Sequence, residues 1–162
     1  MQERLPLDQS KEKVLLDVNS LAIYLVEDHP GNDHISEEIE KGFTAKRELV
    51  VMDYLPFRVY WVHTKKWGIE EKISQESITS FLESKTDLIG IKKDGIIESF
   101  KIAEEKDHDV YDCFYISLAR QADATHILTT DRDFSYLCEG ESFEYLNPVP
   151  DKILSRFYGF NS

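Results

Sequence analysis

The chain has 162 residues, 41% of them hydrophobic, which suffices for one substantial core and is too little for two independent ones. Charged residues, 31% of the total, are interspersed with apolar runs and Pro and Gly are few, which excludes a disordered or low-complexity protein. A net charge of −12 excludes broad electrostatic adhesion to nucleic acid, because phosphate contacts need clustered Lys and Arg; any such contact is expected to be local, at Lys41, Lys46 and Arg47 or at Lys65 and Lys66. No apolar run approaches the roughly 20 residues that span a bilayer. Residues 1–8 lack the apolar segment and small-residue cleavage site of a secretory leader, so a cytoplasmic protein with no membrane contact is expected. Cys113 and Cys138 stand in unlike contexts without a CxxC or a His pair, and read as core thiols.

In chain order, Val14–Val18 (ValLeuLeuAspVal) reads as a short buried strand, followed by a helix with Leu21, Ala22, Tyr24 and Leu25 at helical spacing. HisProGlyAsnAsp at 29–33 breaks the chain before a second amphipathic helix that ends near Gly42. Leu49–Met52 is the next strand. Pro56 suits the first turn of a helix running to about Trp67 and stopped by Gly68, and another helix covers about Glu70 to Leu82. Residues 87–91 read as a third strand closed by LysAspGly at 93–95, with helix from Ile96 to Glu105. A helix from about Asp109 to Ala122, a strand at 126–130 and a short strand at 143–146 complete the pattern. The tail from Asp151 to Phe160 carries Ile153, Leu154, Phe157 and Tyr158, apolar enough to pack on the core or on another subunit. Helices alternating with short apolar strands predict an α/β three-layer sandwich: a mostly parallel sheet of about five strands with helices on both faces.

In such a sheet ligands bind outside the carboxyl ends of the strands. Asp17 and Asp131 fall at two such ends, and Asp112 lies in the first turn of a largely apolar helix. Each has a bland alternative. Asp17 caps the following helix, although Asn19 and Ser20 are better placed to do so; Asp112 answers the helix macrodipole; Asp131 is a turn residue, and Asp133 caps a short helix at PheSerTyrLeu. Taken together, several clustered carboxylates repel one another and call for a neutralising cation. Oxygen donors without Cys or His favour Mg²⁺ or Mn²⁺, which suits metal-assisted cleavage of a phosphodiester.

These residues resemble the PIN domain family, which includes the ribonuclease toxins of toxin–antitoxin pairs. ValLeuLeuAspValAsnSerLeu at 14–21 is similar to the family's first motif, and residues 111–134 resemble its late helix, strand and closing acidic motif at nearly every position. The resemblance covers about 13–148 of a single domain spanning 1–162, leaving 149–162 as a tail. It implies that Asp17, Asp112 and Asp131 are the catalytic and metal-binding acids, with Asp133 as a further ligand and Asn19 as a supporter. It also implies single-stranded RNA as substrate, a homodimer, and an antitoxin or other protein partner. The family usually carries one more acid, a Glu about ten residues before the Gly that ends the helix after the second strand. Counting back from Gly68 places Arg58 there. A cation in that place weakens metal binding unless Asp53, at the end of the second strand, compensates, or Arg58 pairs with Asp17 or Asp112, holds a substrate phosphate, or simply lies on a solvated helix face.

The leading reading is therefore a Mg²⁺- or Mn²⁺-dependent endoribonuclease. Its rivals are a catalytically impaired PIN-like module binding RNA or protein, and a phosphatase using Asp17 as nucleophile. The last is disfavoured because AspValAsnSer lacks a second Asp two residues on.

Overall fold

The computed structural model describes residues 11–84 and 86–160; the N-terminal residues behind the leader expectation lie outside them. Strand β1 (Glu12–Leu16) leads into helices α1 (Val18–Tyr24) and α2 (Asn32–Glu40), and β2 (Arg47–Met52) into α3 (Leu55–Trp61) and α4 (Glu71–Leu82). Then come β3 (Thr86–Ile89) with α5 (Lys93–Lys106) and α6 (Val110–Ala122), β4 (His126–Leu128) with α7 (Asp133–Leu137), and β5 (Glu144–Leu146) with α8 (Asp151–Leu154) and α9 (Phe157–Phe160). The strands stand in the order β3-β2-β1-β4-β5, and every pairing is parallel.

The buried strands explain why their sequences are continuous apolar runs rather than alternations. Val14, Leu15 and Leu16 in β1 and Leu49, Val50 and Val51 in β2 are all buried, so both faces of the central sheet are covered by helices, as parallel sheets require. Ile35, Ile39, Leu55, Val59, Ile116 and Leu118 close over them. Both cysteines are buried, free thiols.

Three local readings are corrected. LysAspGly at 93–95 does not close β3 but forms the first turn of α5. Gly95 is there for close approach rather than for a turn. A Cβ on it would lie 3.2 Å from the Ser117 Oγ of α6, and that hydroxyl donates to the Gly95 carbonyl at 2.7 Å. The helix expected to run from Pro56 to Trp67 is α-helical only to Trp61 and widens into a π-helical turn at Val62–Lys66, with the Trp67 N–H reaching the Val62 carbonyl. This turn carries the buried His63 ring between α1 and α4, within 3.0 Å of the Ala22 carbonyl and 2.8 Å of the Ser74 hydroxyl. Arg47, read as part of a basic cluster open to local nucleic-acid contact, is buried: its guanidinium donates to Glu12 and to the side chain and carbonyl of Glu38, so it is not available to phosphate.

The tail packs on its own chain. Phe157 and Phe160 sit edge-on to the buried His29 ring at 4.6 and 4.7 Å, and Phe160 also meets Trp67 at 5.1 Å. Arg132 pairs with Asp151 at 2.7 Å, tying the loop after β4 to α8.

Candidate functional site

The strand order reverses between β1 and β4. From β1 the chain builds outward through β2 to β3, then returns to place β4 and β5 on the other side. Connections leave the neighbouring carboxyl ends of β1 and β4 in opposite directions and open a crevice between them. Leu16 is in register with Leu128, so Asp17 and Thr129 are neighbours one step beyond, with the Asp17 N–H directed at the Leu128 carbonyl at 3.4 Å.

Asp17, rather than Asn19 or Ser20, is the N-cap of α1. Its extended backbone frees the carboxylate to accept the Ser20 N–H at 2.8 Å, while the Ser20 hydroxyl accepts the Asp17 N–H at 3.1 Å, a reciprocal capping box. Asp17 is only 2% exposed, and burial raises its carboxyl from an ordinary 3.8 to about 6. Hydrogen bonds from Thr129 and Ser20 oppose the rise, and the charge of Asp131 adds to it.

Thr129 was not singled out in the sequence, yet it joins two of the acids. Its buried hydroxyl accepts the Asp131 N–H at 3.0 Å and hydrogen-bonds Asp17, so its single proton goes to the carboxylate. Asp131 in turn accepts the Asp133 N–H at 2.9 Å, an Asx turn that starts α7. The turn reading of Asp131 thus describes its backbone, while its charge acts on both Asp17 and Asp112.

Asp112, half-buried in the first turn of α6, is pushed above the usual carboxylate range by burial and by Asp131, and drawn back by its hydrogen bond to His108. Tyr115, one turn along α6, has its hydroxyl accepting the Val18 N–H at 3.1 Å and lies in the field of Asp17, Asp112 and Arg58. Asp131 is thus the acid whose charge reaches both Asp17 and Asp112, residues far apart in sequence. His108 is a second residue the sequence did not point to. Its Nε2 lies 3.0 Å from Asp112 and 3.8 Å from Asp133.

The remaining candidates stand further out. Asn19 is exposed on α1, and Asp53, beyond the end of β2, is exposed with its carboxylate against Gly90 and its N–H bonded to the Ile89 carbonyl. Arg58 is exposed on α3 and lies over the Trp61 ring at 5.4 Å, forming no ion pair with Asp17 or Asp112 among the described residues. Lys66 lies over the same ring at 5.7 Å, and Phe57 on α3 and Tyr54 just before it are also exposed, their rings 5.4 Å apart.

A wholly parallel five-stranded sheet with helices on both faces, and Asp17 and Asp131 beyond neighbouring strands at its switch point, defines an α/β protein. The PIN domain profile matches residues 14–140, and the chain belongs to that family. No curated protein sequence matches it. Among solved structures it is similar to VapC20 of Mycobacterium tuberculosis, a Sarcin-Ricin loop cleaving toxin, with a TM-score of 0.62 at 10% identity over 76% of this chain and 93% of that one. It is also similar to VapBC2 from Rickettsia felis bound to a DNA fragment from its promoter (TM-score 0.63, 16% identity, 83% and 98% covered). A toxin-antitoxin complex from Klebsiella pneumoniae gives a TM-score of 0.58 at 17% identity, with 84% and 98% covered. At these identities the likeness bears on the fold.

Proposed function

We propose that this chain, as one domain over residues 1–162, is a Mg²⁺- or Mn²⁺-dependent endoribonuclease acting on single-stranded RNA. The observation that carries the reading is the buried Asp17 carboxylate facing the charges of Asp131 and, through it, Asp112. A buried carboxylate in the field of a second acid is unfavourable until a cation neutralises it, and oxygen donors suit a hard divalent ion. Asp17, Asp112 and Asp131 would hold it, with Asp133 at the rim. The cation supplies Lewis acidity, polarising the scissile phosphate and acidifying water. Thr129 fixes the Asp17 carboxylate by donating to it, and Ser20 holds the same group at the head of α1.

The RNA reading draws on relatives of this family and on α3. Trp61 with Arg58 and Lys66 over its ring, together with the exposed Tyr54–Phe57 pair, offers stacking surfaces and two positive charges on an otherwise acidic protein. Arg58 lies on this surface, away from ion-pairing distance of the acids, which favours a phosphate-contacting role over neutralisation of the pocket. The impaired-module alternative predicts no Mn²⁺ binding. The toxin–antitoxin complexes among the structural neighbours support a small antitoxin partner for this chain, and the exposed Ile96 and Phe100, one turn apart on α5, give a homodimer or such a partner an apolar contact. We place the protein in the cytoplasm; no helix among the described residues is long and apolar enough to cross a membrane.

The test is cleavage of a labelled single-stranded RNA by the purified chain with Mg²⁺, Mn²⁺ or EDTA. Cleavage is expected with either ion, none in EDTA, and a loss of at least a hundredfold in Asp112→Asn. Equal cleavage by that variant refutes the assignment.

A further inference from the structure

The α5–α6 junction places a nitrogen donor among the acids. Helix α5 ends on Asp107 in the left-handed conformation (φ 52°), and the next residue, His108, is turned back over the first turn of α6. Its ring is largely enclosed, with 18% of the side chain exposed, against 29% for Asp112 and 66% for Asp133. One ligand atom from each of His108, Asp112 and Asp133 lies within 4.8 Å of the other two. Donors bound at about 2.1 Å to a first-row divalent ion are at most about 4.2 Å apart, so the three need close by only about half an ångström to share one ion. They come from two elements already fixed: α6 carries Asp112, and Asp133 is set by the Asx turn whose acceptor is Asp131.

We propose that His108 is a metal ligand, forming with Asp112 and Asp133 a second, mixed nitrogen–oxygen cation position beside that of Asp17, Asp112 and Asp131. Imidazole nitrogen suits transition-metal dications and is a poor donor to Mg²⁺, so this position takes a Mn²⁺-class ion in preference to Mg²⁺. A bound ion takes the Nε2 lone pair, so the imidazole binds as the neutral tautomer with its proton on Nδ1. The inference rests on the proposed metal site through the shared Asp112, and the two fail differently.

The experiment is electron spin-echo spectroscopy of the full chain loaded with Mn²⁺, with Mn²⁺ and Mg²⁺ titrations of the parent, His108→Gln and Asp133→Asn, each first shown folded by circular dichroism. The expected result is ¹⁴N coupling of an imidazole in the parent, lost in His108→Gln. Mn²⁺ affinity at the weaker site should fall by about tenfold or more in both variants, while in His108→Gln Mg²⁺ affinity is little changed. Mn²⁺ bound without nitrogen coupling, or with unaltered affinity in His108→Gln, overturns the His108 assignment and leaves the nuclease reading intact. No Mn²⁺ binding at all overturns both.

Discussion

Replacing Asp17 by Asn should stabilise the metal-free protein at neutral pH while abolishing its metal response. The native carboxyl titrates near 6 and an unfolded one near 3.8. Between those values the native state holds a proton that the unfolded state has lost, so this group's contribution to stability falls as pH rises through the window and stays low above it. At about 1.4 kcal/mol per pH unit the cost at pH 7.5 is roughly 3 kcal/mol. The Asn variant escapes that cost and keeps the cap, since its Oδ1 still accepts the Ser20 N–H. It loses the proton given by Thr129, worth about 1 kcal/mol. The net gain is about 1–2 kcal/mol, or a rise of about 3–6 °C in the melting temperature for a chain of this size. Thermal unfolding by circular dichroism in EDTA at pH 7.5 and pH 4.5 measures it: the advantage should appear at the higher pH and shrink or reverse at the lower. Adding Mn²⁺ should then raise the parent's melting temperature by mass action and leave the variant's unchanged. A variant less stable than the parent at pH 7.5 in EDTA, with the same pH dependence between 4 and 6, would refute the electrostatic argument.

Three further outcomes follow from the same geometry. Thr129→Val keeps the shape but leaves the Asp131 N–H and an Asp17 oxygen without their partner; urea denaturation should show a loss of about 1–3 kcal/mol. Trp61→Ala removes the ring under Arg58 and Lys66. Fluorescence anisotropy with a single-stranded RNA, read in an Asp112→Asn background, should show affinity falling by about tenfold with Mn²⁺ binding unchanged, in line with about 1–3 kcal/mol per stacked base. Leu15→Ala, at the fully buried centre of β1, should cost about 2–5 kcal/mol in urea denaturation, since its neighbours on β2 and β4 cannot collapse into the space.

Much of the fold was legible because a parallel sheet writes itself as short apolar runs, and β1, β2 and β4 read that way. The position of Asp17 was legible for the same reason, one residue beyond β1, whereas β4 stops at Leu128 and leaves Asp131 in the loop before α7. What escaped were features set by tertiary contact. Gly95 looks like a turn in sequence and is a contact point between α5 and α6. Arg47 looks like a surface cation until Glu12 and Glu38 are brought to it from elements 35 and 9 residues away. Thr129 falls within the strand expected at 126–130, but its hydroxyl acquires meaning only once β1 and β4 are adjacent. His108 gave no signal, because a lone His before a helix is common and Asp133 reaches it only through the fold. Arg58 was found by counting from Gly68, and its place over Trp61 depends on a rotamer that spacing does not specify.

The most direct test of the central claim is an anomalous-difference map from crystals of the full chain soaked in Mn²⁺. The account predicts a peak within bonding distance, about 2.2 Å, of carboxylate oxygens from Asp17, Asp112 and Asp131. Crystals that show these three acids in place at millimolar Mn²⁺ with no peak between them would contradict it.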